Sequence, residues 1–220
     1  MSRVSFAQKV RRISRSRERG VVIRRVAKHL GLVYFGALNH DDEHEVIRGI
    51  TVSISHRDSH YVIGSFDGYD VSIVDRDDTV MSAGIARHHR WAIIQVALKH
   101  TPLASDIVLL PHDNAHYYTH AFAGLRHLQP VDALVAESYS AEFLRRYKIM
   151  APSHQAVEVN RIITPPLADL AGIKLWPHAV ELKEKKLLVY ITEDRLNETV
   201  LRVAIESALW LADSLDKRVA

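Results

Sequence analysis

Asp67-Gly68 sits between two runs in which apolar and polar residues alternate, Tyr61 to Phe66 before it and Tyr69, Val71 and Ile73 after it. Such alternation is what a half-buried strand requires, because successive side chains leave a strand on opposite faces. An Asp-Gly pair between two such runs supplies the left-handed backbone of a tight hairpin. A third run precedes them, with Ile50, Val52 and Ile54 set against Thr51, Ser53 and Ser55. The segment therefore predicts an antiparallel meander over Ile50 to Val74, with a first turn where His56 and His60 bracket Arg57-Asp58-Ser59.

A meander with one apolar face must be covered, and the rest of the chain offers both strands and helices. Trp91 to Lys99 reads as a strand with Ile94, Val96 and Leu98 on one face, and Ile107 to Leu110 as a strand buried on both. From Asp113 the pattern turns helical until Gln129-Pro130. Phe143 to Met150 reads as extended. Ser153 caps a helix running through Ile163, and Thr164-Pro165 repeats the rule of a cap followed by proline in the first turn. Val180–Leu182 and Leu187–Ile191 pair across a charged turn, and Val200, Ala204, Ala208, Leu211, Ala212 and Leu215 form the apolar stripe of a last helix. Hairpins outnumber strand-helix-strand crossovers, so the expected fold class is α+β, an antiparallel β meander plus a C-terminal strand-helix-hairpin-helix unit. A boundary near Pro130 would separate an N-terminal α+β unit (21–130) from a C-terminal one (131–220), and 220 residues equally suit one continuous domain.

Charge is unevenly distributed. The first 28 residues hold ten of the 29 Lys and Arg and one of the 26 Asp and Glu, a balance of +9, which leaves −6 for the remainder. Residues 1–20 read as an exposed basic arm in which Phe6, Val10 and Ile13 fall at helical spacing and Gly20 ends the pattern. Val22, Val26 and Leu30 then make a short docked helix with Gly31 as its C-cap. Arg11, Arg12, Arg15, Arg17 and Arg19 are the candidate anion-binding residues of the arm, suited to lipid headgroups or to nucleic-acid phosphates.

The chain has no cysteine, which excludes disulfides, thiolate metal sites and cysteine nucleophiles. It lacks G-x-S-x-G, Walker A and G-x-G-x-x-G motifs, so acyl-hydrolase, P-loop and dinucleotide chemistries have no foothold. Fourteen histidines are its oddest feature. Four pairs stand four apart (40/44, 56/60, 112/116 and 116/120), and on a helix such neighbours can share a metal, whereas along a strand they lie about 13 Å apart. The candidate ligands are His112, His116 and His120 in the helical stretch, and His40 and His44 flanking Asp41-Asp42-Glu43. Tyr117 stands where a zinc protease helix would carry its glutamate.

Four runs, Phe143-Leu144-Arg145-Arg146-Tyr147-Lys148-Ile149, Ile163-Thr164-Pro165-Pro166-Leu167, Leu187-Leu188-Val189-Tyr190 and Trp210-Leu211-Ala212, resemble the C-terminal part of uncharacterised conserved bacterial proteins. In those proteins a soluble α+β domain of unknown function often follows membrane-embedded or membrane-proximal segments. The resemblance implies an α+β fold near a membrane and carries no catalytic residue. This chain has no run approaching the roughly 18 apolar residues of a membrane span and no secretory h-region. The expected location is cytoplasmic, peripheral to the membrane.

The sequence thus predicts a non-catalytic interaction or scaffold module without a cofactor. Its body would meet a protein partner, and residues 1–28 an anionic membrane surface or nucleic acid. The alternative is a hydrolase dependent on zinc or another divalent metal held by the histidine and carboxylate clusters.

Overall fold

The computed structural model describes residues 6–36, 47, 49–50, 56–82, 85–102, 106–113, 118, 122, 125, 127–131 and 138–219, with the side chains of 6–15, 80–82, 85–87, 193 and 219 outside the description. Among the described residues nine strands form one sheet: β1 (Val33–Gly36), β2 (Arg57–Phe66), β3 (Tyr69–Ser82), β4 (Ile85–Ala97), β5 (Ile107–Pro111), β6 (Gln129–Pro130), β7 (Tyr147–Ala151), β8 (Ala179–Lys183) and β9 (Lys186–Thr192). Their spatial order is β1-β2-β3-β4-β9-β8-β5-β7-β6, and every pairing is antiparallel. Strands from before and after Pro130 interleave. Helices α1 (Phe6–His29), α2 (Ala141–Arg146), α3 (Ala156–Ile162), α4 (Pro165–Lys174) and α5 (Glu198–Val219) complete an α+β fold.

The period of two explains how the sheet is buried on both sides. Val71 and Ile73 of β3, Ala92, Ile94 and Val96 of β4, and Leu187, Val189 and Ile191 of β9 face the core formed with the helices, including Ile23 and Val26 of α1 and Leu201, Ala208 and Leu211 of α5. The alternate residues Val74, Trp91, Ile93, Leu188 and Tyr190 face a second core with Ile47, Tyr118 and Phe122. Trp91 to Ile94 is therefore buried on both faces, where the sequence predicted one, and Gln95 and Ala97 beyond it are half-buried.

The hairpin at Asp67-Gly68 is present. Phe66 pairs with Tyr69, and Asp67 and Gly68 have φ of 51° and 77°, the sign pattern of a type I′ turn. The preceding turn is not where the alternation put it. Arg57-Asp58-Ser59 lies inside β2, opposite Asp75 to Asp77, and His60 sits at an irregularity of the ladder with φ 56°. Residues 51–55 lie outside the described residues. The meander among the described residues is β2-β3-β4.

Two further expectations change. Phe143 to Met150 is not wholly extended, because Ser140 caps α2 by accepting the Phe143 amide at 3.1 Å and Glu142 bridges to Arg145 and Arg146 three and four positions on. Local capping overrides the alternation until Tyr147. The basic arm is not separated from the docked helix by Gly20 either, since α1 is continuous from Phe6 to His29.

Candidate functional site

The middle of α1 is fixed to the sheet by charge. Asp75 of β3 is fully buried and holds two guanidiniums: Arg19 donates from Nε at 2.9 Å and Nη2 at 2.6 Å to Oδ1, and Arg90 of β4 donates at 2.8 Å to Oδ2. Arg90 also donates to Ser16 Oγ at 3.0 Å. Asp75 shares the sheet face of Val71 and Ile73, so the alternation that buries those side chains aims its carboxylate at α1.

Next to this cluster His60 Nε2 donates to the Ser16 carbonyl at 3.1 Å, and its Nδ1 accepts from Tyr34 Oη at 2.7 Å. A neutral imidazole, with one nitrogen donating and the other accepting, satisfies both contacts. Burial agrees, holding the His60 pKa below its ordinary value against the opposing pull of Asp75. Gly20 lies against this ring. A Cβ there would stand 2.8 Å from His60 Nδ1 and closer still to Cε1, so the residue that reads as a helix breaker is the one that lets α1 approach the sheet.

Beyond the anchor the outer face of α1 is cationic. Arg17, Arg24, Arg25 and Lys28 are exposed, and Arg17, Arg24 and Lys28 fall within about 40° of one another on a helix of 3.6 residues per turn. Arg24 lies over the Tyr34 ring at 4.9 Å, and Arg25 pairs with Glu198 of α5 at 2.8 Å. Of the predicted anion-binding residues, Arg17 points to solvent and Arg19 does not, being 6% exposed and committed to Asp75. Arg11, Arg12 and Arg15 lie in the first half of α1, with side chains outside the described residues.

Of the predicted metal ligands only His112 is among the described residues. His112 is exposed just past β5, its amide bonded to the Arg146 carbonyl at 2.9 Å, while His40, His44, His116 and His120 lie outside the described residues. Among the described residues no three His, Asp or Glu side chains are arranged to hold a metal ion.

Sequence reasoning missed one buried titratable pair. Glu181 of β8 is 2% exposed and accepts from the Ile50 amide at 2.9 Å and from the Tyr190 hydroxyl. Burial pushes both pKa values up, that of Tyr190 well above its usual 10. The pair faces Trp91 and Phe122 in a closed aromatic core, where Tyr190 and Phe122 ring centroids stand 4.9 Å apart. It pins residue 50 to the sheet. A lone Glu in the apolar run Ala179 to Leu182 is the sequence signal that could have found it.

The fold is similar to that of a mycobacterial transport factor. A solved structure, the mycobacterial trehalose monomycolate transport factor A, TtfA, aligns over 90% of this chain and 94% of its own at a TM-score of 0.55 and 14% identity. At that identity the likeness is one of fold. No family model and no curated protein matches the chain. No helix among the described residues is long and apolar enough to cross a membrane.

Proposed function

We propose that the chain is a non-catalytic interaction module in which the α+β body holds α1 so that its basic face docks on an anionic membrane surface. One observation carries the reading: Arg19 is drawn inward by Asp75 while Arg17, Arg24 and Lys28 line the opposite side of the same helix in solvent. The anchor fixes the helix rotation, and the fixed rotation presents the cations as a row. A row of exposed cations near an anionic leaflet contributes on the order of 1 kcal/mol each. The balance of −6 on the rest of the chain favours this orientation by repelling the body from the same surface. A fold shared with a protein named for transport supports a scaffold role over a catalytic one.

The test is a salt series with vesicles containing anionic lipid, neutral vesicles and a generic RNA. It compares the full chain with an Arg17→Gln/Arg24→Gln/Lys28→Gln variant and with a chain lacking residues 1–15. That boundary spares Ser16 and Arg19 and so leaves the anchor in place. Binding to anionic vesicles that weakens with salt and falls in both altered proteins is the expected result. Equal binding by all three proteins at low salt would reduce α1 to a solvated helix. Preference for RNA over vesicles would move the reading to nucleic acid.

A further inference from the structure

A groove of about 410 Å³ runs between the end of α4, the Trp176-Pro177-His178 segment and the start of α5, on a part of the protein that the basic-face reading does not use. Its size falls in the range of small-molecule sites, roughly 300–1,000 Å³. One side is apolar: Trp176 is 39% and Val203 44% exposed, large areas to leave in water. The other side carries two cations, Lys174 and Arg195, and one carboxylate, Asp194. Arg195 is half-buried and makes no ion pair or hydrogen bond among the described residues.

His178 also lines the groove. It is 7% exposed, and its Nδ1 has neither solvent nor a hydrogen-bond partner. Burial, and then the nearby Arg195 charge, pushes its pKa down to about 4, so it is neutral at ordinary pH. Asn197 and Thr199 bring the first turn of α5 to the same wall. The Asn197 side chain takes the Val200 amide at 2.9 Å, and this turn is the positive end of a 22-residue helix whose first two turns line the groove. Of the other charges, Lys174 lies over the Trp210 ring at 5.3 Å, and Asp194 is exposed at the rim and offsets it. Glu198 is drawn away to Arg25. Arg146 lies over the Trp176 ring at 5.8 Å, yet the indole keeps 39% of its surface in water, so what remains is a cationic side, with Asp194 as its one carboxylate among the described lining residues, beside a partly open apolar wall.

We propose that this groove binds a small amphiphilic anion, its carboxylate or phosphate head on Arg195 and the first turn of α5, and its apolar body on Trp176 and Val203. A bidentate head suits the planar guanidinium, and an alkyl or ring body suits the indole face.

The probes are octanoate, octyl phosphate and neutral octyl glucoside below its micelle concentration, titrated calorimetrically into the full chain, its Arg195→Gln and Trp176→Ala variants, and an Arg202→Gln control on the outer face of α5. Saturable 1:1 binding of one or both anions is expected, weakened about tenfold or more by Arg195→Gln. Trp176→Ala should weaken octanoate and octyl phosphate together, and Arg202→Gln should bind as the unaltered chain does. Preference for octanoate identifies a carboxylate head, and preference for octyl phosphate a phosphate head. Absence of binding by both anions, equal binding of octyl glucoside, or undiminished binding by Arg195→Gln would overturn the proposal. Vesicle binding by α1 does not involve Arg195 or Trp176, so either proposal can fail alone.

Discussion

Arg19 Nη2 of α1 and Asp75 Oδ1 of β3 stand 2.6 Å apart across 56 positions of sequence, with 6% and 0% of their side chains exposed. The contact joins the element with the highest positive charge to the centre of the meander. A buried carboxylate facing two guanidiniums is costly to unbalance, because either charge left alone has lost its water.

Asp75→Asn keeps the shape and removes the buried anion that Arg19 and Arg90 both contact. The expected loss is about 3–5 kcal/mol, read as a lowered urea midpoint. Arg19→Met should cost less, since Arg90 still neutralises Asp75. A loss under about 1 kcal/mol for Asp75→Asn would mean that the cluster is hydrated and does not hold α1.

Gly20 tests the close approach. Alanine is favoured over glycine within a helix by about 1 kcal/mol, so Gly20→Ala on an open helix would stabilise. Here the new methyl meets the His60 ring, which Tyr34 and Ser16 hold in place, and the expected outcome is a net loss of about 1–3 kcal/mol. In a His60→Ala background the same substitution should become stabilising. Thermal midpoints of the four proteins in this double-mutant cycle check the change of sign.

The contrast between what was legible and what was not follows from range. The β2-β3 hairpin was legible because Asp67-Gly68 and the alternation around it are local, and so was the stripe of α5, where Ala204, Ala208 and Leu211 are all buried. Gly20 was misread because the reason for glycine there is the His60 ring, 40 residues away. Arg19 looked like its neighbours because an arginine that meets a buried Asp75 has the same letter as one that meets water. Nothing local marks the Arg195 groove, whose walls come from two helices, the segment between α4 and β8 and the turn between β9 and α5 that carries Arg195.

His178 gives stability a pH dependence of known sign. Its folded pKa is about 4 against an ordinary 6.5, so the unfolded chain binds the proton more tightly. The contribution is fully present well above about pH 6.5 and is lost as pH falls through the folded pKa, by about 3 kcal/mol once pH reaches about 4. His60 is shifted in the same direction, so the comparison that isolates His178 is with a His178→Gln variant. The stability difference between the two proteins should change by about that amount across this window, measured by urea melts at half-unit steps. A constant difference would show that His178 titrates normally and is open to water.

Glu181 predicts the opposite slope. Burial raises its folded pKa above the ordinary 4.5, although Tyr190, the Ile50 amide and Lys183 pull it down. The folded state therefore holds the proton more tightly than the unfolded chain. The associated stabilisation is complete below the unfolded pKa and is lost as pH rises through the folded one. Glu181→Gln retains an oxygen that can accept from Ile50 and Tyr190 while carrying no charge at any pH. Measured against the unaltered protein, the variant should be nearly neutral at about pH 3, where both side chains are uncharged, and increasingly the more stable as pH rises. A variant less stable than the unaltered protein near about pH 8 would overturn this account, for it would mean that the ionised carboxylate, bonded to Tyr190 and Ile50, outweighs the loss of water that burial imposes.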